Sequence, residues 1–565
     1  MTKPLVLTCQ TKANWWSIFF GYVLDGTFIR KPHPMSTHDA HTPQVADACA
    51  ELLAQALRLH QQGDLQGAHE FYDRILAINP AHFDALHLSG VMAMQLGRNA
   101  DGIELVRHAL DLMPGSADAW TNLGNGQMAL RDYAGALVSF GKALELDARN
   151  ANAHYNRGIA LAALQRYDEA LVSYQRVIDL QPGSASAHNN YGATLALLDR
   201  HDESMQHFAR AIQCDPRHAG AYNNYGAACS QLNRHEEAMA HFARAIECEP
   251  EHASAHLNLG MMHLVRGEWQ RGFELYEWRW KRDDAEKPLP FDAPQWRGEA
   301  LHGRRIVLWS EQGFGDTLLA CRFAKDLHQR GAYVILAVQP QLIELLKSLD
   351  AAHEVVSRDG QLPHTDFHCP LMSLPYALNL TLEKLPQLRG YLRAPDDRIA
   401  IWGERLGSIP GVKIGIACSG AARHLNDRNR SLPLHMFAPL SQDGVTLFLV
   451  QKHLRASDEA WLQTQPGIRN LGPQLKDFAD TAAAMEYLDV IITVDTSVAH
   501  LAASLGKPTW ILLAYAGDWR YLLERSDSPL YPTARLYRQD APGSWELPLR
   551  LVTSDVERLV AQQER

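Results

Sequence analysis

No apolar run in this 565-residue chain approaches the roughly 20 residues that a membrane-crossing helix requires. The longest, WWSIFFGYVL at residues 15 to 24, is followed by no small-residue cleavage site, so neither a membrane span nor a signal peptide is expected. Metal and redox spacing is missing too. The eight cysteines (Cys9, Cys49, Cys214, Cys229, Cys248, Cys321, Cys369, Cys418) never stand at CxxC spacing, which points to reduced, mostly buried thiols and a cytoplasmic setting. Nor is there a basic excess: the formal net charge is −10, so nothing sequence-wide attracts nucleic acid or anionic lipid.

What is present is a globular composition, 46% apolar and 21% charged. At roughly 150 residues per unit the length implies about three or four units. Met35 opens a polar stretch before the first periodic segment. The native start is expected there, with residues 1 to 34 upstream of it and residues 1 to 48 poorly ordered.

Glycines at 90, 124, 158, 192, 226 and 260 recur every 34 residues, and Ala56 holds the slot before Gly90. A small residue follows each at a fixed interval (Ala68, Gly102, Ala136, Ala170, Ser204, Ala238, Gly272), then in most units an aromatic (Tyr72, Phe140, Tyr174, Phe208, Phe242, Tyr276). Pro80, Pro114, Pro182, Pro216 and Pro250 close most units, Ala148 being the exception. This pattern resembles the tetratricopeptide repeat, seven units over residues 49 to 285. Small residues let helices approach, the aromatic fills the seam and proline stops the second helix, so an α-solenoid is expected, a right-handed superhelix whose concave face binds extended peptides or another domain.

Asn122, Asn156, Asn190, Asn224 and Asn258 share one phase, two residues before each glycine, and Asn189 and Asn223 double it in the middle units. A file of carboxamides can donate to and accept from a peptide backbone; the other reading is that it bonds neighbouring backbone. The histidines in phase (His154, His188, His218, His252, His256) suit packing or solvent-facing roles better than metal.

After Gly272 the register fails in a tryptophan-rich stretch, and residues 286 to 303 read as a linker, with Asp283 and Asp284 exposed. Beyond it short apolar strands alternate with helical stretches: RRIVLW, AYVILAV, HEVVS and TDFHC, then VKIGIA, VTLFLV, DVIITV and PTWILL. Such alternation implies two Rossmann-like α/β domains with parallel sheets, at 304 to 400 and 411 to 545, separated by a break near 395 to 411 and followed by a C-terminal helix at 546 to 565. Ligands bind such sheets beyond the carboxyl ends of the strands.

At those ends stand the candidate site residues. The first strand runs into SEQGFGDTLLACRF, where Gly313 and Gly315 allow close backbone approach and Asp316 sits at a helix mouth. VKIGIA runs into a loop with Arg423, Arg428 and Arg430; VTLFLV ends at Gln451 and Lys452; DVIITV ends at Asp495, Thr496 and Ser497, with His500 one turn on. A helix end with free amides suits an anion, the basic loops suit a diphosphate and Asp495 suits sugar hydroxyls. Taken singly, Asp495 and Thr496 are also ordinary helix caps and His500 an ordinary core histidine.

DTSVAHLAASLGKP resembles the DTxxxHLAxALGKP signature of glycosyltransferase family 9, the heptosyltransferases with the GT-B fold, and GFGDTLL resembles that family's Gly-Asp turn. Repeats followed by these motifs look like the bacterial tetratricopeptide proteins that carry a family 9-like domain. The resemblance implies inverting, metal-independent transfer from a nucleotide-diphosphate sugar, with Asp316 as general base, Arg430 balancing the diphosphate, Lys452 near the nucleoside, and Asp495, Thr496 and His500 lining the donor site. It implies no cofactor. The loop CSGAARH and the Ser-Val after Thr496 depart from the family, so the donor sugar stays open. Repeats joined to such a domain also share the architecture of protein O-GlcNAc transferases, which raises a polypeptide acceptor. The alternative is a protein-binding scaffold whose transferase domain has lost turnover.

Overall fold

The computed structural model describes residues 43 to 420 and 426 to 563. The expectations for residues 1 to 34, for a start at Met35 and for Arg423 fall outside them. Helix begins at Pro43, upstream of the predicted residue 49. Through Tyr276 the chain is seven helical hairpins: Pro43–Gln61 with Leu65–Ile78, Phe83–Gln95 with Asn99–Leu112, Ala117–Ala129 with Tyr133–Leu146, Ala151–Ala163 with Tyr167–Leu180, Ala185–Leu197 with His201–Cys214, Ala219–Gln231 with His235–Cys248, and Ala253–Val265 with Trp269–Tyr276. The chain forms two compact units that divide between Ala228 and Cys229.

The repeat phase now has atoms attached to it. A Cβ on Gly158 would stand 2.5 Å from the Tyr174 ring, and one on Gly192 would stand 2.8 Å from Phe208. Both rings are fully buried, so each aromatic occupies the space that the missing side chain leaves. Ser116, Asn150 and Ser184 cap the first helix of their hairpins by accepting a backbone N–H three residues on. His82, His218 and His252 do the same through Nδ1. His154, His188 and His256 instead place Nε2 on the carbonyls of Ala148, Pro182 and Pro250. The phased histidines thus have structural duties, and among the described residues no cluster of three or more metal-ligating side chains occurs.

In the second unit a parallel sheet runs in the order β3-β2-β1-β4, from β1 (Arg305–Trp309), β2 (Tyr333–Val338), β3 (Glu354–Ser357) and β4 (Phe367–Pro370). A second parallel sheet holds β5 (Val412–Ala417), β6 (Val445–Leu449), β7 (Ile468–Asn470), β8 (Val490–Val494), β9 (Thr509–Leu513) and β10 (Ala534–Arg538), in the order β10-β9-β8-β5-β6-β7. The central strands read as near-continuous apolar runs because both faces are covered; every residue of β8 is buried. All eight predicted strands form.

Three features differ from expectation. β7 and β10 were not read, because IRN is too short and ARLYR too polar to stand out. The predicted linker is docked: Trp296 is fully buried, and its N–H donates to the His368 carbonyl of β4 at 2.7 Å. The break near 395 to 411 contains a helix, Asp396–Leu406, which buries Trp402 and Leu406 and accepts at the Ile399 carbonyl from the Tyr487 hydroxyl at 3.0 Å. Among the described residues no helix is long and apolar enough to cross a membrane.

Because the Tyr174 ring fills the place of a Gly158 side chain, Gly158→Ala should destabilise the first unit by about 1–3 kcal/mol. A urea midpoint unchanged by the substitution would mean that the seam has room to spare.

Candidate functional site

The strand order of the second sheet reverses between β5 and β8, and that of the first between β1 and β4; crevices form at such switch points, beyond the carboxyl ends. The two sets of strand ends meet. The helix Phe314–Ala320, entered from β1, packs on the helix Ser497–Ser504, entered from β8. A Cβ on Gly315 would stand 2.7 Å from Cδ2 of His500, and the Phe314 and Phe478 ring centroids are 4.9 Å apart. Gly315 is therefore glycine for close approach. Gly313, at φ −70°, adopts a conformation open to any residue.

On the second sheet, Thr496 caps its helix by accepting from the Val498 N–H at 3.3 Å, and Ser497 lies half-buried in the first turn. Arg430 donates Nη1 to the Asp495 carbonyl at 3.0 Å. Its neighbour Asp427 is ion-paired with Arg455 and accepts from the Ser431 hydroxyl at 2.9 Å. Gln451 fills the end of β6: its Oε1 accepts from the Cys418 N–H at 3.0 Å and its Nε2 donates to Ser419 Oγ at 2.7 Å. Arg428 and Lys452 stay exposed, and Lys452 Nζ donates to the Lys476 carbonyl at 3.0 Å. Asp495, Thr496, Arg430 and His500 are thus brought together with Gly315 and Asp316, while Arg428 and Lys452 sit on the surface.

Sequence reasoning missed the segment that joins these groups. Between β9 and β10 the chain sends Arg520 into the interior, 3% exposed, where Nη2 pairs with Asp316 and Nη1 lies 3.0 Å from both carboxylate oxygens of Asp518. Burial works against that charge, but Asp518 and Asp495 hold the guanidinium firmly protonated. Tyr521 donates its hydroxyl to Asp495 Oδ1 at 2.8 Å. The Tyr531 hydroxyl lies 2.9 Å from His500 Nδ1, and His500 Nε2 is 3.9 Å from Asp495 Oδ1. Burial drives the His500 pKa well below its ordinary value, so the ring is neutral. Nothing periodic marks GDWRYLLERSDSPLY; its partners lie far away in sequence. The one local signal was a buried-looking Trp-Arg pair beside acids.

The asparagine file is largely internal. Asn190, Asn224 and Asn258 are buried, Asn122 and Asn156 half-buried. Asn224 Nδ2 donates to Asn189 Oδ1 at 2.9 Å, Asn189 Nδ2 to Asn190 Oδ1 at 3.2 Å, and Asn190 Nδ2 to the Tyr155 hydroxyl at 3.0 Å. Asn156 donates to Asn125 at 2.8 Å, and Asn122 Nδ2 lies 3.0 Å from His87 Nε2. These carboxamides stitch successive hairpins of the first unit together.

Models of the tetratricopeptide repeat match residues 53–117, 151–184, 183–248 and 230–278, and a TPR repeat model matches 128–165. The chain carries tetratricopeptide repeats. Among curated proteins it is similar to protein FlbA of Caulobacter vibrioides, 25% identical over 309 residues, which is 50% of this chain and 51% of that protein. The chain thus spans about half the length of this relative. Solved structures similar to it include the MamA protein (23% identity, TM-score 0.28, 31% of this chain and 95% of that one). Others are YrrB, described as a TPR protein with an unusual peptide-binding site (25%, 0.29, 33% and 95%), and a tetratricopeptide repeat protein of Parabacteroides merdae (19%, 0.37, 41% and 91%).

Asn224→Ala should strip buried Asn189 Oδ1 of its donor and cost about 1–3 kcal/mol in urea unfolding, more than the half-buried Asn122→Ala. For His500 the sign follows from its lowered pKa. Below the ordinary value of 6.5 the unfolded ring takes a proton that the folded ring refuses, so stability falls on acidification. The slope is about 1.4 kcal/mol per pH unit. His500→Gln should therefore lose less stability than wild type between pH 6.5 and lower pH in thermal melts. Equal slopes would place His500 in water.

Proposed function

We propose that the chain is a glycosyltransferase that moves a sugar from a nucleotide diphosphate to a polypeptide or glycan acceptor, its two parallel-sheet domains serving as the acceptor and donor halves of a GT-B fold. The observation that carries this reading is the meeting of the two sets of strand ends, with Gly315 against His500 and Asp316 one guanidinium away from the second sheet's loops. Arg430 and the first amides of the helix Ser497–Ser504 suit the diphosphate, and Asp495 suits sugar hydroxyls. Cationic and amide groups of this kind stabilise a departing nucleotide's charge without a metal. In this reading Asp316, from the helix that follows β1, takes the acceptor's proton. The repeats then recruit the acceptor or a partner protein, with Asn122 and Asn156 as the accessible members of the asparagine file.

One observation favours a second reading, a protein-binding scaffold with an idle domain. Asp316 is ion-paired with Arg520 and Asp495 is bonded to Tyr521, so both carboxylates that the chemistry requires are occupied.

Thermal melting with UDP, GDP and ADP separates the two. For the transferase, one nucleotide at about 100 times its Kd should add about 2.7 kcal/mol of stability. Arg430→Ala should erase that gain. Asp316→Asn, in which Arg520 keeps Asp518, should retain binding and lose transfer. If no nucleotide shifts the melt at millimolar concentration, the scaffold reading stands.

A further inference from the structure

One segment covers every acid or base candidate at the strand ends. Between Leu513 and Ala534 the chain forms neither helix nor strand, and from this stretch Arg520 reaches Asp316, Tyr521 reaches Asp495 and Tyr531 reaches His500. Its near end is seated on the repeats. Asn233, in the turn of the sixth hairpin, donates Nδ2 to the Tyr515 carbonyl at 2.8 Å and accepts from the Gly517 N–H at 3.3 Å. The Trp519 ring, 1% exposed, meets Trp269 and Phe273 of the last repeat helix edge-on, at centroid distances of 5.8 and 5.4 Å. The far end is pinned by Arg322, whose Nη1 donates to the Leu530 carbonyl at 2.6 Å.

The segment is held under load. Leu522 and Glu524 sit in the left-handed region at φ 53° and 49°, a conformation unfavourable for side chains of this kind and kept only where surrounding contacts enforce it. The indole N–H groups of Trp519 and Trp269 are both buried with no acceptor from the described chain, so the seat returns less than its packing promises. Backbone strain of this kind, kept only by surrounding contacts, is characteristic of switch regions and ligand clamps.

We propose that residues 515 to 531 are a latch set by the last two repeat hairpins: with Trp519 seated on Trp269 and Phe273, Arg520 and Tyr521 occupy Asp316 and Asp495, and unseating Trp519 delivers both carboxylates to substrate while Tyr531 stays on His500. The nucleotide arm of this inference rests on the transferase reading; the mechanical arm does not. The two proposed functions are then two states of one molecule, idle when latched and active when released.

The test combines hydrogen exchange with nucleotide titration on the full chain. In Trp519→Ala, amide exchange across 518 to 531 should rise about tenfold or more while β1 and β5 keep wild-type protection. The Kd for whichever of UDP, GDP or ADP binds wild type should fall several-fold. Asn233→Ala, a change at the half-buried rim of the seat, should move both readouts the same way by less, and guards against a Trp519 variant that misfolds. Wild-type exchange across 518 to 531 in both variants overturns the latch, as does raised exchange with an unaltered Kd for a nucleotide that wild type binds. Raised exchange with no nucleotide bound by any of the three proteins sinks the transferase reading and leaves the mechanical latch in place.

Discussion

A guanidinium cannot be left alone in a dry interior, and Arg520 is the residue around which that constraint organises the second unit. It takes Asp518 from its own loop and Asp316 from the helix after β1, so the strand ends of two separate sheets are bound through a single charge. The neighbouring phenols follow the same logic: a buried hydroxyl needs an acceptor, and Tyr521 finds Asp495. The crevice that a doubly wound fold creates at its switch point is in this way filled by the protein's own polar groups.

The same unit shows how a repeat array becomes part of an α/β core. The last repeat helix leads directly into Arg279, which is buried and donates to Ser373 Oγ at 2.6 Å and to Glu311 Oε1 at 3.2 Å, while Tyr276 accepts from Gln312 Nε2 at 2.6 Å. Glu311 and Gln312 directly precede the Gly313 turn. The final hairpin therefore supports the strand-end loop from beneath, and the tryptophan-rich stretch that breaks the repeat register is the joint itself. Its aromatic content reflects packing: the Trp280 ring lies tilted against Trp309 of β1 at a centroid distance of 5.8 Å, and Trp296 is fully enclosed.

Most of the architecture was legible because it is periodic. A 34-residue rhythm of small residues and aromatics specifies helix pairs, since Gly158 and Tyr174 can only be neighbours if the hairpin closes on that register. Apolar runs such as VIITV specify covered parallel strands for a similar reason. Part of the candidate site was legible too, because residues after a strand of this kind necessarily lie at its carboxyl end; Asp316, Asp495, Thr496 and His500 were read on that ground, and they lie near one another at the strand ends. The asparagine file was visible as a pattern, but whether its amides face a peptide or one another depends on the spacing of successive hairpins, which the pattern does not contain.

By itself, then, the sequence determined what local rules control: the repeat helices, the apolar strands, the cap at Thr496, and the loops that gather at strand ends. Only the tertiary structure decided that Arg520 and Tyr521 enter those loops, that Trp519 rests on the last repeat, and that Asn224 bonds Asn189. The reason is physical. Helix and strand signals arise from neighbours a few residues apart, whereas a buried charge or hydroxyl is satisfied by whichever partner the packed chain brings within 3 Å, and that partner can stand 204 positions away, as Asp316 does from Arg520.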